Sequence, residues 1–172
     1  MIYTGDCLEI LPTLDAESVQ CCVCSPPYWN LRDYGVAGQI GLEKTPEEYV
    51  DKMVAVFREV KRLLRNDGVL WLNLGDSYAT HADKRSGQFG KPIVDGRDGI
   101  STKSKVPAAE IGLKEKDLVG IPWRVAFALQ SDGWWLRQDI IWHKKNPMPE
   151  SVTDRCTKAH EYIFLLTKSA RY

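Results

Sequence analysis

The 172-residue sequence has no net charge and no long apolar run, and its first residues do not resemble a signal peptide. Lys and Arg together number 23, and so do Asp and Glu. None of its apolar runs approaches the ~20 residues that a membrane-spanning helix needs, and its first residues lack the basic and apolar regions of a signal peptide. A 44% share of hydrophobic residues excludes a wholly disordered chain. These absences predict a single globular, cytoplasmic domain with no membrane contact.

Cysteine is sparse and irregularly spaced. The chain has five cysteines, an odd number, and the cluster around Cys22 has no second pair or histidine partner at the spacing of a zinc site. We therefore expect reduced thiols that behave as small buried hydrophobic residues, and no metal site. The five are Cys7, Cys21, Cys22, Cys24 and Cys156.

The balanced total hides an uneven distribution of charge along the chain. Residues 1–77 carry 7 basic and 12 acidic side chains, whereas residues 134–172 carry 7 basic and 4 acidic ones. A basic face opposite an acidic one suits a polyanionic partner such as nucleic acid. Chance scatter of solvated charges explains the same counts equally well, so charge alone does not decide between the two.

Two apolar runs separated by a helical pattern predict a βαβ unit. Residues 19–24 are rich in β-formers and end at two prolines. Residues 45–48 (Thr-Pro-Glu-Glu) form a capping box with proline at the first helical position, so a helix is expected from there to a glycine C-cap at Gly68. Residues 69–74 are the second predicted strand. Such a unit is nearly always parallel and right-handed.

The remaining apolar segments predict one more helix and two more strands. Pro122 opens a helix that runs to Gly133, and residues 134–142 and 161–167 are expected to be strands. Together with the βαβ unit, these segments predict an α/β fold. We expect a mostly parallel central sheet flanked by helices.

Residues 77–117 differ in composition from the rest of the chain. They hold five of the thirteen glycines and show little apolar periodicity. A stretch of this length inside a compact domain is typically a functional loop or a disordered one. We predict a flexible or DNA-recognition loop, and an insertion with no recognition role is the open alternative. The basic residues that could order on DNA are Lys84, Arg85, Lys91, Arg97, Lys103 and Lys105.

The most informative motif is SPPYW at residues 25–29, directly after the first predicted strand. In this context it resembles the (S/N/D)-P-P-(Y/F) catalytic motif of the DNA amino-methyltransferases, which include site-specific enzymes of restriction-modification systems. The resemblance implies a Rossmann-like, S-adenosylmethionine-dependent methyltransferase fold. Further segments are similar to that family and follow in the same order: GDCL (5–8), GVLWLNLGDSY (68–78), IPWR (121–124), IIWHKKNPMP (140–149) and HEYIFLLTK (160–168).

The residue types of this motif suit methylation of an exocyclic amine. The lone pair of such an amine is delocalised into the ring, so acceptors that bind its two N–H groups would localise it toward the incoming methyl group. Ser25 offers a hydroxyl oxygen and Pro26 a carbonyl, while Pro27 adds rigidity and no amide donor. Tyr28 is expected to stack on a base that has left the duplex. For the motif taken alone, a strand-ending turn with a packed aromatic residue is the alternative.

The resemblance also implies roles for residues outside the motif. Asp6, Ser25 and Asn73 are expected near the cofactor S-adenosylmethionine, and Asp76 is expected to be a base near the amine. Asp6 could instead cap a turn or a helix, and Asp76 could instead cap the amide of Tyr78. Cytosine N4 is the preferred target over adenine N6, because Ser rather than Asp or Asn begins the motif. Contacts with double-stranded DNA are expected from Trp29, Arg32, Lys144 and Lys145. For the three basic residues, solvated surface charges with no DNA contact are the alternative.

One segment of the family pattern is missing from this chain. The DNA amino-methyltransferases hold the methionine part of the cofactor with a glycine-rich (D/N)-x-F-x-G-x-G segment, and the 172 residues contain no such pattern. We therefore expect residues 1–172 to be the catalytic portion of a longer enzyme, with an exposed sheet edge that invites self-association. A non-catalytic DNA-binding or assembly module of the same fold, or an RNA or small-molecule methyltransferase, are the alternatives.

Overall fold

The computed structural model describes residues 1–80 and 108–172, which form one four-stranded mixed sheet packed against two long helices. The strands follow the order β1-β2-β4-β3 across the sheet, so the last strand in sequence occupies an interior position. In chain order the elements are α1 (Cys7–Ile10), a 3₁₀ helix (Leu11–Thr13), β1 (Val19–Cys24), α2 (Pro46–Leu63), β2 (Leu64–Leu74), a second 3₁₀ helix (Ala108–Ile111), α3 (Ile121–Ser131), β3 (Trp135–His143) and β4 (His160–Thr167).

β1, α2 and β2 form the predicted βαβ unit. β1 and β2 are parallel. α2 begins as its capping residues predict, because the Thr45 hydroxyl accepts a hydrogen bond from the Glu48 amide at 3.2 Å and Pro46 occupies the first turn. The Glu48 carboxylate accepts in turn from the amide of Lys44, at 3.0 Å. The prediction of this unit is confirmed.

The junction between α2 and β2 differs from the predicted glycine C-cap. α2 ends at Leu63, and Leu64 already has extended dihedral angles and begins β2. Gly68 lies inside β2, where a Cβ atom would come within 2.9 Å of the Arg65 carbonyl oxygen. Glycine is needed here for space and not for a helix end, because β2 holds extra residues opposite β1 between Leu64 and Val69.

β4 pairs antiparallel with both of its neighbours, β2 and β3. The predicted α/β fold is confirmed, and one part of the prediction is corrected: the sheet is mixed, not mostly parallel, since among the described strands only β1 and β2 run parallel. An apolar run such as residues 161–167 is compatible with either direction of pairing. The reversed direction of β4 places its first residues beside the carboxyl end of β2, where Tyr162 pairs with Leu74.

The hydrophobic core lies between one face of the sheet and the two long helices. It combines alternate residues of β2 and β4 with the buried sides of α2 and α3, namely Tyr49, Met53, Phe57, Val60, Leu70, Leu72, Leu74, Ile121, Val125, Leu129, Phe164 and Leu166. On the opposite face Val23 is 76% exposed. Within the described residues β1 has one strand neighbour, so the predicted exposed sheet edge is present. Self-association through it stays a prediction.

All five cysteines are free thiols. Cys22 and Cys24 are half-buried and pack against the core, whereas Cys21 and Cys156 are exposed. The expectation of buried thiols therefore describes only part of the set. In residues 1–80 and 108–172, no group of His, Cys, Asp and Glu side chains is arranged to hold a metal ion. No helix in that part of the chain is both long and apolar enough to cross a membrane.

The predicted loop at residues 77–117 is described only at its two ends. These ends are hydrogen-bonded to each other, since the Ala79 amide donates to the Asp117 carbonyl and the Lys116 amide donates to the Ala79 carbonyl, each at 2.9 Å. Residues 81–107, with the six basic residues predicted there, lie outside the described residues. A role of the loop in DNA recognition stays a prediction.

Candidate active site

Three elements bring polar side chains together at one end of the sheet. The SPPYW segment follows the carboxyl end of β1, Asn73 lies near the carboxyl end of β2, and Glu161 is the second residue of β4. Because β1 and β2 are parallel and β4 is antiparallel, all three positions meet at the same end. A cavity of about 650 Å³ opens there, and Ser25, Tyr28 and Glu161 are among its lining residues. This volume is typical of small-molecule sites.

The Tyr28 hydroxyl is the centre of a hydrogen-bond network that joins the three elements. The Ser25 hydroxyl lies 3.2 Å from it, the Asn73 side-chain oxygen 2.6 Å, and a Glu161 carboxylate oxygen 3.2 Å. The Asn73 side-chain nitrogen donates in turn to the Tyr162 carbonyl at 3.0 Å. Burial raises the pKa of Tyr28, and the hydrogen bond from Ser25 opposes that shift. The Tyr28 side chain, which lines the cavity, is therefore held in place through its hydroxyl group.

The ring of Tyr28 is held by close packing as well. A Cβ atom on Gly75, the residue that follows β2, would lie 2.5 Å from both Cδ2 and Cε2 of Tyr28. Real Cβ atoms do not approach carbon atoms so closely, so only glycine at this position leaves room for the ring. Sequence reasoning did not single out Gly75, because the close approach depends on how the two strand ends meet.

Hydrogen bonds from other parts of the chain hold the backbone of the motif in place. The Tyr49 hydroxyl, on α2, donates to the Pro27 carbonyl at 2.9 Å, and the Asn30 amide donates to the Gly41 carbonyl at 2.7 Å. The Pro26 carbonyl, in contrast, accepts no hydrogen bond from the described residues, and Pro26 lines the cavity. The Pro26 carbonyl, which was predicted to accept a hydrogen bond from the substrate amine, is thus left available for that contact.

Trp29 points away from the cavity and into the core. It is 3% exposed, and its indole N–H donates to the Glu43 carbonyl at 3.1 Å. The predicted contact of Trp29 with nucleic acid is therefore wrong for this conformation. Tyr28 and Trp29 are consecutive aromatic residues of one loop, but their side chains leave it in different directions, and the sequence contains no signal for which of them is buried.

Asp76 caps α3. Its Oδ1 atom accepts hydrogen bonds from the amides of Gly120 and Ile121, each at 3.0 Å, and from that of Ser77 at 2.9 Å. Burial raises the pKa of this carboxyl group, while the amide donors and the nearby charge of Lys158 oppose the shift. The Oδ1 atom is therefore committed to these amides, whereas among the described residues Oδ2 accepts only from the Gly120 amide, at 3.2 Å. Asp76 is thus a capping residue, as the alternative interpretation expected, but it caps Ser77 and the start of α3 and not Tyr78. Its role as a base stays a prediction.

Glu161 links the Tyr28 hydroxyl to a cation. Its second carboxylate oxygen forms an ion pair with Lys144. Burial tends to raise the pKa of Glu161, but the hydrogen bond and charge of Lys144 outweigh it and hold the pKa below its ordinary value. Nearby, burial lowers the pKa of Lys158, and its ammonium group is buried with no hydrogen-bond partner in the described residues. The cavity is therefore lined by charges of both signs.

The other predicted residues are placed as follows. Arg32 and Lys144 are exposed and line the cavity, whereas Lys145 is exposed but is not among the lining residues. Asp6 is also outside that lining and caps α1, since its Oδ1 atom accepts from the Leu8 amide at 2.8 Å. The structure thus brings together the residues of the SPPY motif with Asn73, Asp76, Arg32 and Lys144, and leaves Asp6 and Lys145 apart.

Besides Gly75, sequence reasoning missed Glu161 and Lys158. Glu161 lies in β4 and in the family-like segment at residues 160–168, and Lys158 lies just before both. Their position at the site follows from the antiparallel pairing of β4 with β2. The available signal was the presence of these charged residues within, or just before, a segment that resembles the family.

Comparison with known families agrees with this geometry. The sequence model of the DNA methylase family matches residues 19–172. The chain belongs to this family. It is 51% identical over 171 residues to the Type II methyltransferase M.XycI of Xanthomonas campestris pv. cyanopsidis, and 52% identical over 171 residues to M.SmaI of Serratia marcescens. Each match covers 99% of this chain but only 55% and 56% of the relatives, so this DNA methylase chain spans about half the length of the curated relatives it matches.

A solved structure shows the same fold. The protein TTHA0409 of Thermus thermophilus, crystallised in complex with S-adenosyl-L-methionine, is similar with a TM-score of 0.62 at 24% identity. The match covers 98% of this DNA methylase chain and 53% of that protein. The predicted methyltransferase fold is confirmed.

Proposed function

We propose that this chain is the catalytic portion of a site-specific DNA methyltransferase of the restriction-modification type. It would transfer a methyl group from S-adenosylmethionine to the exocyclic amine of a base flipped out of DNA. The observation that carries the proposal is the convergence of Ser25, Pro26 and Tyr28 on one cavity. Membership of the DNA methylase family supports it, as does similarity over nearly the whole chain to two Type II methyltransferases.

Ser25 and Pro26 would hold the target amine. The Ser25 hydroxyl oxygen and the Pro26 carbonyl are two acceptors for its two N–H groups. The Tyr49–Pro27 hydrogen bond and the packing of the loop fix their positions before a base arrives. Acceptors fixed in advance need no reorganisation during the reaction. Binding both N–H groups turns the nitrogen lone pair out of the ring plane, which makes the amine a nucleophile.

Tyr28 would hold the ring of the flipped base. Its own ring is half-buried, rests against Gly75 and contributes to the cavity lining. Stacking of a base on an aromatic side chain contributes about 1–3 kcal/mol, with little dependence on the base. We therefore assign base binding to the ring and amine binding to its neighbours in the motif.

Asp6 and Ser25 fit a contact with the cofactor better than Asn73 does. S-adenosylmethionine, when bound, supplies an electrophilic methyl group. Asp6 is exposed and uses only one carboxylate oxygen to cap α1. Asn73 uses its oxygen on Tyr28 and its nitrogen on the Tyr162 carbonyl, so it has little left to offer a ligand. We propose Asp6 and Ser25 as cofactor contacts and assign Asn73 to holding Tyr28.

We propose cytosine N4 as the target, with adenine N6 as the alternative. The support for cytosine is Ser25 itself, since a neutral hydroxyl begins the motif where a carboxylate or amide could stand. The test is methyl transfer from labelled S-adenosylmethionine to unmethylated DNA by the encoded protein, followed by nucleoside analysis. Label in N4-methylcytosine is expected. Label in N6-methyladenine would exclude the cytosine preference, and label in neither would exclude the proposed function.

Arg32, Lys144 and Lys145 are proposed as contacts to the DNA backbone. All three are exposed, and two of them line the cavity into which a base would flip. Phosphate contacts position a protein on DNA without reading its sequence. Removing one such contact should weaken binding to all sequences alike and reduce the dependence of log K on log salt by about 0.9.

A second candidate is a non-catalytic DNA-binding or assembly module. The sequence leaves this alternative open. Calorimetry distinguishes the two, because a module of this kind should bind DNA in a salt-sensitive way and give no heat with S-adenosylmethionine. Saturable binding of the cofactor would exclude it.

A further inference from the structure

The side-chain amide of Asn73 has a fixed orientation. Its nitrogen donates to the Tyr162 carbonyl at 3.0 Å. Turning the amide over would set its oxygen against that carbonyl, with two acceptors in contact and no proton between them. The amide oxygen therefore faces the Tyr28 hydroxyl, 2.6 Å away. Because Asn73 and Tyr162 belong to the adjacent strands β2 and β4, the sheet itself sets this orientation.

The Tyr28 hydroxyl has one proton and two acceptors on its inner side. These are the Asn73 oxygen at 2.6 Å and the Glu161 carboxylate at 3.2 Å. Glu161 is ion-paired with Lys144 and is ionised at neutral pH, so it cannot donate. The tyrosine proton must point to one of these two groups. Only lone pairs of Tyr28 remain for Ser25.

The Ser25 hydroxyl consequently donates its own proton to Tyr28, across the 3.2 Å that separates the two oxygens. No proton is left for a ligand in the cavity, so Ser25 presents lone pairs only. A serine hydroxyl that rotates freely can donate to a carbonyl as readily as it accepts from an amine. The chain of hydrogen bonds from Ser25 through Tyr28 to Asn73 removes that choice.

We propose that the Tyr28 hydroxyl determines substrate specificity: it makes Ser25 an obligate acceptor and thereby selects a base with an exocyclic amine against the same ring with a carbonyl. This inference rests on the proposed function. Cytosine and adenine carry the amine, whereas uracil and hypoxanthine carry oxygen at the same place. Facing a carbonyl, the acceptors Ser25 and Pro26 would both stay unpaired, and sites built to bind N–H groups reject such ligands strongly. The Tyr28 ring binds the base, and the Tyr28 hydroxyl discriminates.

The experiment compares two DNA duplexes that differ only at the target base, once methylation mapping has located that base. The pair is cytosine against uracil, or adenine against hypoxanthine. Fluorescence anisotropy gives the two Kd values for the wild-type protein and for Tyr28→Phe, which keeps the ring and loses the hydroxyl. The ratio is the Kd for the carbonyl-bearing base divided by the Kd for the amine-bearing base. We expect Tyr28→Phe to reduce this ratio about five- to tenfold, the usual effect of one hydrogen bond, because the Ser25 hydroxyl can then rotate and donate to a carbonyl.

Two further variants keep the result interpretable. Tyr34→Phe removes a hydroxyl from the same cavity that is not bonded to Ser25, and it should leave the ratio unchanged. In a Ser25→Ala background, adding Tyr28→Phe should have no further effect on the ratio, since the hydroxyl acts through Ser25. Circular dichroism establishes that each variant is folded.

Three results would overturn the inference while leaving the proposed function intact. The Kd ratio of Tyr28→Phe could equal that of the wild type, or Tyr34→Phe could change the ratio as much as Tyr28→Phe does. The third is that Tyr28→Phe changes the ratio as much in the Ser25→Ala background as it does in the wild type. In each of these cases the mapped methylation still stands. If mapping finds no methylated base, the proposed function fails, and the inference fails with it.

Discussion

Gly75 and Tyr28 are in such close contact that no residue other than glycine fits at position 75. The distance from an added Cβ atom to two ring carbons of Tyr28 would be 2.5 Å. The contact joins the end of β2 to the loop after β1, and it positions the same ring whose hydroxyl reaches Asn73 and Glu161. The backbone of β2 therefore shapes the site as directly as the side chains do.

Gly75→Ala should displace the Tyr28 ring. Overpacking of this kind costs about 1–3 kcal/mol of unfolding free energy, and we expect the methyl-transfer rate to fall roughly tenfold or more as the ring leaves its place. Denaturant unfolding and single-turnover methylation are the measurements. In a Tyr28→Ala background the same glycine change should cost little, because the space is then free. A wild-type rate in Gly75→Ala would contradict this account.

Ser25→Ala and Tyr28→Ala should affect different steps. Loss of the Ser25 acceptor should lower the single-turnover rate roughly a hundredfold with little effect on DNA affinity. Loss of the Tyr28 ring should weaken binding of the flipped base by about 1–3 kcal/mol. Single-turnover rates and equilibrium binding, measured on both variants, separate the two effects. If either variant keeps both the wild-type rate and the wild-type affinity, the assignment of the motif is wrong.

Tyr49→Phe should loosen the motif without disturbing the core. The phenylalanine ring replaces the fully buried tyrosine ring, and only the hydrogen bond to the Pro27 carbonyl is lost. We expect a loss of about 1 kcal/mol in the free energy of unfolding and a slower methyl transfer. Urea titration and a rate assay measure the two. Tyr34→Phe is the matched control, since Tyr34 is 49% exposed and its change should leave stability as it was.

Lys144→Gln should change how stability depends on pH. In the folded state Lys144 holds the Glu161 pKa below its ordinary value of about 4.5. A carboxyl group with a depressed pKa contributes stability above about pH 4.5, and this contribution is lost as the pH falls through the folded value. The pair is partly exposed, so we expect less than about 1 kcal/mol between the two proteins at pH 7, and no difference in strong acid.

Urea titrations across pH 3–7 measure this dependence. Lys145→Gln is the control, because the structure does not pair Lys145 with Glu161, and its stability should follow the wild-type pH curve. A difference between wild type and Lys144→Gln that stays constant over the whole range would refute the coupling to Glu161.

Trp29→Phe should reduce stability and leave DNA binding alone. The smaller ring leaves space in the core and leaves the Glu43 carbonyl without its donor, which together cost about 1–3 kcal/mol. Because Trp29 is buried, the salt-dependent affinity of the folded variant for DNA should equal that of the wild type. A specific loss of affinity at unchanged stability would restore the surface role that the structure excludes.

The parts of the fold that local sequence determines were predictable. β1 is a short run of β-formers stopped by two prolines, and α2 begins at Thr45 and Pro46 because capping is decided within four residues. The position of the SPPY motif was predictable as well, because the motif directly follows the run of β-formers that makes β1. The end of α2 was not, because Gly68 serves the irregular register of β2 with β1 and not the helix.

The parts of the site that depend on tertiary pairing were not predictable. Glu161 reaches Tyr28 only because β4 runs antiparallel to β2, and an apolar run carries no sign of its direction. The burial of Trp29 and the contact of Gly75 with Tyr28 likewise depend on how separate segments meet. For Asp76, a capping role at Tyr78 and a role in proton transfer were both open from sequence. The structure shows a capping role at the start of α3 instead, because that helix begins beside the end of β2.

The interior position of β4 also has a consequence for the order in which the protein can fold. β4 separates β2 from β3 in the sheet, so neither of these strands gains its pairing with β4 until residues 160–167 are in place. The β2–β4 pairing, as of Asn73 with Ile163, joins residues far apart in sequence and forms late, because closing the intervening loop is costly in entropy. A nascent chain that has not reached residue 160 can bury α2 against β1 and β2. It lacks both the carboxylate of Glu161 and the carbonyl that orients Asn73, so the network around the Tyr28 hydroxyl forms only after β4 pairs with β2.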